Sequence, residues 1–387
     1  MKHRVLHLIG SNLVGGPEKQ ILHHAEAMQG SEYEIEVGSF HDLTERPEVL
    51  RAAAQRNIET VCLNGGIHPH LVSELIAVLR ERKGCILCTH GFKSNVLGYL
   101  AARRTGTPHI AFLRGFTAEN WRVAFYEVLE RQALKRASWV VCVSREQASR
   151  IGKLRGRRSQ PVVVPNVMLP PYARAHSGPA VTRHSLGIPE DAFVFGSVGR
   201  LSIEKGHRFL IAAFHELCMS AGPGVSIRLI VVGDGHEQES LEQQVSQLKI
   251  RDRVVFAGFQ GNCAEWMRLF NCMVQPSLTE GTPNSVLEAI HLELPVVATA
   301  VGGVPDLIRN GRSGVLVPAR DPHALAAAMK KVIESPDFRD RIVAGGAGVR
   351  EKHSPALQKQ RLLEVYGRAL DLPLLHKADR NVLPSPL

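Results

Sequence analysis

No stretch of this 387-residue chain approaches 18 uninterrupted apolar residues, which excludes a membrane-spanning helix. Met1–Gly10 carries Lys2 and Arg4 ahead of an apolar run too short for a secretory leader, so a cytoplasmic location is expected. The seven cysteines are odd in number and irregularly spaced, which argues against a disulfide framework and fits reduced thiols. Cys85-Ile-Leu-Cys88 has no second pair to complete a zinc site and reads as two small residues buried in a strand. No Asp-x-Asp occurs, so the usual carboxylate clamp for a diphosphate-bridging divalent cation is missing and no metal is expected. GxGxxG and the P-loop are also lacking, and Ser144 stands in no GxSxG elbow, so dinucleotide, NTPase and serine-hydrolase chemistry have no support.

The chain is basic, with net charge +10 and pI about 9.4. Between Arg131 and Arg158 nine basic residues face a single acid, Glu146. That patch suits anionic lipid at a membrane surface or a lipid-phosphate acceptor, or is a solvated basic face. Nucleic acid is not expected, because no zinc finger, RNA-recognition or aromatic-interleaved basic motif accompanies it.

The most legible chemistry lies in Glu280-Gly-Thr-Pro-Asn-Ser-Val-Leu-Glu288. Cys272–Ser277 reads as a short buried strand before it. Thr282 is expected to cap the next helix, with Pro283 in its first turn, where a missing N–H costs nothing. That helix runs through Val286, Leu287, Ala289 and Ile290 to Leu294-Pro295, and Pro295–Thr299 is the following strand. The loop therefore sits at the carboxyl end of a parallel strand, where ligands of open α/β sheets gather. A helix start attracts an anion, while Glu280 and Glu288 accept hydrogen bonds from hydroxyls. Phosphate plus polyol points to a nucleotide sugar.

Short apolar runs alternate with helical patterns along the whole chain, the signature of parallel α/β sheets. Gly15-Gly16 follows the first strand, and Pro17 opens the next helix; the turn either meets an anion or is only tight. His90 closes the strand at Cys85–Thr89, and Arg114 follows the strand His109–Leu113. Pro- and Ala-rich Leu169–Arg183 breaks the alternation, which then restarts. The division expected is 1–170, 184–354, a last helix at 355–370 and a disordered tail at 371–387. In the second half, Arg200 and Lys205 span a strand–loop–helix turn where two cations converge on one diphosphate.

These residues, together with Val-Pro165-Asn166, Val232-Gly-Asp-Gly235, Phe256-Ala-Gly258 and Gly302-Gly-Val-Pro-Asp306, resemble the retaining glycosyltransferases of family 4. The resemblance covers roughly residues 5–370 and implies a GT-B fold: α/β, two Rossmann-like domains facing each other across a cleft. It implies a UDP- or GDP-sugar donor held mainly by the second domain without a metal, and an acceptor glycan or lipid-linked glycan on the first. Arg200 and Lys205 would hold the diphosphate. Glu280 would meet the sugar, backbone N–H groups around Gly281, Thr282, Pro283 and Asn284 would face phosphate and sugar, and Glu288 would take the ribose. Gly15 and Gly16 would lie near the phosphates, and the last helix would pack back on the first domain. Many relatives carry a histidine where this chain has Arg114; either His90 shares that role or the acceptor differs. Thr89-His-Gly-Phe-Lys-Ser-Asn95 and Arg114-Gly-Phe-Thr-Ala-Glu-Asn-Trp121 look like those of bacterial exopolysaccharide clusters. The competing readings are a GT-B epimerase or phosphorylase, and a non-catalytic protein that binds sugar nucleotides or glycans.

Overall fold

A computed structural model describes residues 2–11, 14–40, 47–64, 68–113, 121–153, 160–167, 181–222 and 225–371. The first sheet contains β1 (His3–Ile9), β2 (Tyr33–Phe40), β3 (Glu59–Leu63), β4 (Ile86–His90), β5 (His109–Leu113), β6 (Trp139–Cys142) and β7 (Pro161–Val163). Their spatial order is β3-β2-β1-β4-β5-β6-β7. The second contains β8 (Phe193–Val198), β9 (Ile227–Val232), β10 (Val254–Phe256), β11 (Cys272–Gln275), β12 (Val296–Thr299) and β13 (Val315–Val317), in the order β10-β9-β8-β11-β12-β13. Every strand pairing in both is parallel.

Parallel strands covered by helices on both faces need apolar side chains on both. β1 shows how the sequence supplies them. Val5 and Ile9 enter one core beside Ile21, Leu22 and Tyr366, while Leu6 and Leu8 enter another beside Leu71, Leu75 and Leu87. His7 shares the face of Val5 and Ile9, because alternate residues of a strand point the same way. In the second sheet Phe195, Leu229 and Val274 face one core, and Val194, Ile230 and Met273 the other.

The last helix, Pro355–Asp371, packs on the first sheet's side of the molecule although it follows the second sheet. Its buried residues Leu362, Val365, Tyr366 and Ala369 recur at helical spacing and join the core of β1. Lys359 Nζ donates to Ala27 O at 2.6 Å, near the end of the Gly16–Met28 helix. Two further helices, Pro336–Gly345 and Ala347–Lys352, precede the last one, and a short one, Cys263–Met267, leads into β11. The tail beyond Asp371 and most of the Leu169–Arg183 boundary lie outside the described residues.

One buried charge is structural. Glu36 on β2 is fully buried, with Arg82 Nε 2.6 Å and Arg4 Nη1 3.6 Å from its carboxylate. Removing one partner of a buried ion pair leaves an uncompensated charge and costs about 3 kcal/mol or more. Arg82→Ala is therefore expected to lower the urea midpoint strongly, whereas Arg82→Met combined with Glu36→Leu loses much less. Equal midpoints for Arg82→Ala and the unaltered chain would refute this role.

Candidate active site

Strand order reverses between β8 and β11 in the second sheet and between β1 and β4 in the first. Loops leaving a parallel sheet on either side of such a reversal diverge and leave a crevice. The residues singled out in the sequence sit at both: Arg200 and Lys205 after β8, Glu280–Asn284 after β11, Gly15-Gly16 after β1, and His90 at the end of β4.

In the second sheet the two loops meet through an ion pair. Lys205 Nζ lies 2.7 Å from Glu280 Oε1. The same oxygen accepts from Ser277 Oγ at 2.7 Å and Gln275 Nε2 at 2.9 Å, and Ser285 Oγ donates to Gln275 Oε1, which fixes the orientation of that amide. Glu280 Oε2 takes no hydrogen bond among the described residues. Arg200, 60% exposed at its side chain, reaches Glu204 Oε1 at 3.5 Å, and Ser202 Oγ donates to that oxygen. Each cation is thus paired with an acid of its own neighbourhood. Glu288 is half-buried on the Asn284–His291 helix; burial pushes its carboxyl above the usual carboxylate range, against the opposing charge of Lys19.

The Glu280–Asn284 loop rests on a floor made by Gly302 and Gly303 of the Gly302–Asp306 motif. Gly303 N donates to Gly281 O at 2.8 Å, and Cβ atoms on Gly302 and Gly303 would lie 1.8 Å from Glu280 O and 2.0 Å from Gly281 O. The paired glycines were the available signal: only glycine admits so close a backbone approach.

Thr282 does not cap the helix. Its hydroxyl donates instead to Val143 O at 2.5 Å, in the first half of the chain, and Pro283 is the capping residue, with extended backbone. Distant donors meet the neighbouring oxygens. Asn166 Nδ2 donates to Thr282 O at 2.9 Å and to Asn284 Oδ1 at 3.0 Å; Gln20 Nε2 reaches the same Oδ1 at 3.2 Å. Asp306 Oδ2 accepts from Arg145 N at 2.8 Å, and His353 Nδ1 lies 2.8 Å from Asn166 O. The two halves are therefore joined at the Glu280–Asn284 loop itself. Gln20 and His353 carried no sequence signal, and Asn166 and Asp306 stood only as motif residues, because the partners of all four are remote in the chain.

His90 is placed differently from an open strand-end group. It is 2% exposed, stacked on Phe112, with Nε2 2.9 Å from His7 Nδ1. His7 Nε2 lies 2.9 Å from Tyr366 Oη, and His24 Nε2 lies 2.8 Å from it, making a buried chain against the last helix. A small cavity lined by His7, Gln20, His24, His90 and Phe112 adjoins it. Arg114 lies outside the described residues.

Two other histidines are held neutral by burial. His109 Nε2 lies 2.8 Å from Thr89 Oγ1, and His207 opens the helix after Lys205. Burial lowers both pKa values to about 4 from 6.5, with Lys205 adding to the effect at His207. The unfolded chain binds protons at these positions below pH 6.5, and the folded chain only near pH 4. Stability is thus intact above pH 6.5 and falls as pH drops towards 4, by about 1.4 kcal/mol per unit of separation at each site. Urea midpoints measured across that window should show the slope, and His207→Gln should reduce it; a flat profile would contradict the assignment.

Two family models match the chain: "Glycosyl transferase 4-like domain" over residues 15–167 and "Glycosyl transferases group 1" over residues 180–348. A D-inositol 3-phosphate glycosyltransferase of Thermomonospora curvata is 31% identical over 317 residues, 74% of this chain and 72% of that protein. A UDP-Gal:alpha-D-GlcNAc-diphosphoundecaprenol alpha-1,3-galactosyltransferase of Escherichia coli is 26% identical over 89% of this chain and 93% of its own length. An uncharacterized glycosyltransferase of Methanocaldococcus jannaschii is 26% identical, and the alignment spans 58% of each chain. Among solved structures, HepE of Anabaena in complex with UDP-glucose superposes with a TM-score of 0.80 at 22% identity, covering 94% of this chain and 99% of that one. A sucrose-phosphate synthase of Thermosynechococcus elongatus does so with a TM-score of 0.78 at 19% identity, over 95% and 99%. Both carry the same pair of facing α/β domains, the GT-B fold.

Proposed function

The chain belongs to the glycosyl transferases of group 1, and from that premise we propose that it transfers a hexose from a UDP- or GDP-sugar to a hydroxyl acceptor with retention of configuration. The observation that carries this reading is the Lys205–Glu280 ion pair across the strand-order reversal, with Arg200 on the same loop as Lys205 and Glu288 on the helix that follows Glu280.

A diphosphate entering this crevice offers Lys205 and Arg200 a stronger partner than the carboxylates they now face. Glu280 is then released to accept from a sugar hydroxyl, and Glu288 to accept from the ribose. The acceptor oxygen attacks the anomeric carbon on the face the phosphate leaves. The anomeric C–O bond to phosphate breaks, and the acceptor's proton passes to the departing phosphate oxygen. No enzymic nucleophile is needed. Charge grows on the leaving diphosphate, so two fixed cations lower the barrier. These two cations would supply the charge neutralisation that a metal could otherwise give the phosphates, so turnover is expected to survive EDTA.

The acceptor side is read more coarsely. Two relatives carry phosphate in the names of their substrates: D-inositol 3-phosphate and a diphosphoundecaprenol-linked sugar. Here Arg131 and Arg136 on the Trp121–Arg136 helix and Arg145, Arg150 and Lys153 beyond it are exposed, with Val128 and Leu129 exposed on the same helix. That surface suits a glycan or lipid-linked acceptor at the cytoplasmic face of an anionic membrane, in cell-surface or exopolysaccharide synthesis.

Arg200→Ala and Lys205→Ala are each expected to cut turnover by about 10²–10³, the scale of one preorganised charge-stabilising group. Full activity in both would sink the assignment, and product formed without acceptor would favour an epimerase. For Glu288, ribose binding favours the ionised carboxylate, whose pKa burial has raised. The donor KM should therefore climb on acidification at a higher pH than an ordinary carboxylate would dictate, and this limb should vanish in Glu288→Gln. An identical pH profile in the variant removes Glu288 from the donor site.

A further inference from the structure

The side-chain amide of Asn284 has its orientation decided by its neighbours. Gln20 Nε2 and Asn166 Nδ2 reach one atom of it, at 3.2 and 3.0 Å. Two N–H groups share a carbonyl oxygen but cannot face an NH2, so that atom is Oδ1. The donors are themselves pinned. Gln20 makes a closed pair with the backbone of Val167, Nε2 to Val167 O at 2.8 Å and Val167 N to Oε1 at 2.9 Å. Asn166 donates in addition to Thr282 O, and its own carbonyl is met by His353. With Oδ1 held from the first half of the chain, Nδ2 turns to the opposite side. What it meets there is Gly16: a Cβ on that residue would lie 2.6 Å from Nδ2.

We infer that the Asn284 amide is a donor-binding group in its own right, aimed by Gln20 and Asn166 as positioning residues. It presents two N–H bonds, between the Gly15-Gly16 turn and the Glu280 loop, to the diphosphate or sugar of a nucleoside-diphosphate sugar. The ligand role rests on the reading given under Proposed function; the clamp does not. The arrangement couples two events. The amide has its binding orientation only while both halves of the molecule hold it, so an open cleft presents a freely rotating amide and a closed one a fixed donor pair. It also accounts for Gly16, where any side chain would displace an amide that its hydrogen bonds do not let move.

The 387-residue chain is titrated with UDP-glucose and GDP-glucose by calorimetry. Asn284→Asp keeps an oxygen for Gln20 and Asn166 but turns a second carboxylate oxygen towards Gly16. It is expected to bind the preferred donor at least about tenfold more weakly at an unchanged thermal midpoint, the scale of a lost hydrogen bond to a charged group. Gln20→Met is expected to weaken binding several-fold in the unaltered chain and by much less in an Asn284→Ala background, where only its pair with the Val167 backbone is left to lose. Donor binding by Asn284→Asp equal to the unaltered chain, or an undiminished Gln20→Met effect without Asn284, overturns the proposal. Failure of the unaltered chain to bind either sugar nucleotide refutes the donor reading and the ligand role with it. The clamp is measured separately by small-angle scattering: Gln20→Met with Asn166→Ala should enlarge the ligand-free radius of gyration, and an unchanged radius refutes it.

Discussion

The Lys205–Glu280 pair joins two loops that leave the second sheet on opposite sides of its strand-order reversal, and the site is assembled around it. Two charges drawn partly out of water are costly unless their remaining valences are met. Gln275 and Ser277 meet them for the carboxylate, and Ser285 in turn holds Gln275. The result is a preformed polar pocket in which the cation is held in place by the protein's own groups. The Arg200–Glu204 pair is more open to solvent and correspondingly weaker, so the two cations differ in how readily they exchange partners.

A second network ties this pocket to the rest of the molecule. Thr282 bonds Val143, Asn166 bonds Thr282 and Asn284, and Asp306 receives Arg145 N. These contacts all fall within the loop and its glycine floor, not at the periphery of the interface. The orientation of the two halves and the geometry of the Glu280–Asn284 loop are thereby one mechanical property, which places the cleft's width under the control of the residues that line it.

Much of this was legible from residue order alone. Strands betrayed themselves as short apolar runs, and the Glu280–Glu288 spacing placed two acids around a helix start. What the sequence could not show was competition from afar. Thr282 has the side chain of a helix cap, but Val143 O, remote in sequence, takes its hydroxyl. His90 has the position of a cleft residue, but His7 and the last helix's Tyr366 enclose it in a buried chain. Gly302 and Gly303 look like any turn until the Glu280 and Gly281 carbonyls are found against them. In each case a local preference was outweighed by a partner that only the fold brings near.

The last helix adds a temporal dimension. Tyr366, Leu362 and Val365 belong to the same core as β1 and the Gly16–Met28 helix, yet they are synthesised after the whole of the second sheet. The opening half of the polypeptide therefore emerges with an apolar groove, and a histidine pair inside it, that nothing nearby can cover. It must wait, part-finished, while the second half is made and folds. Order of synthesis and order of completion run in opposite directions here: the portion made first is the portion closed last.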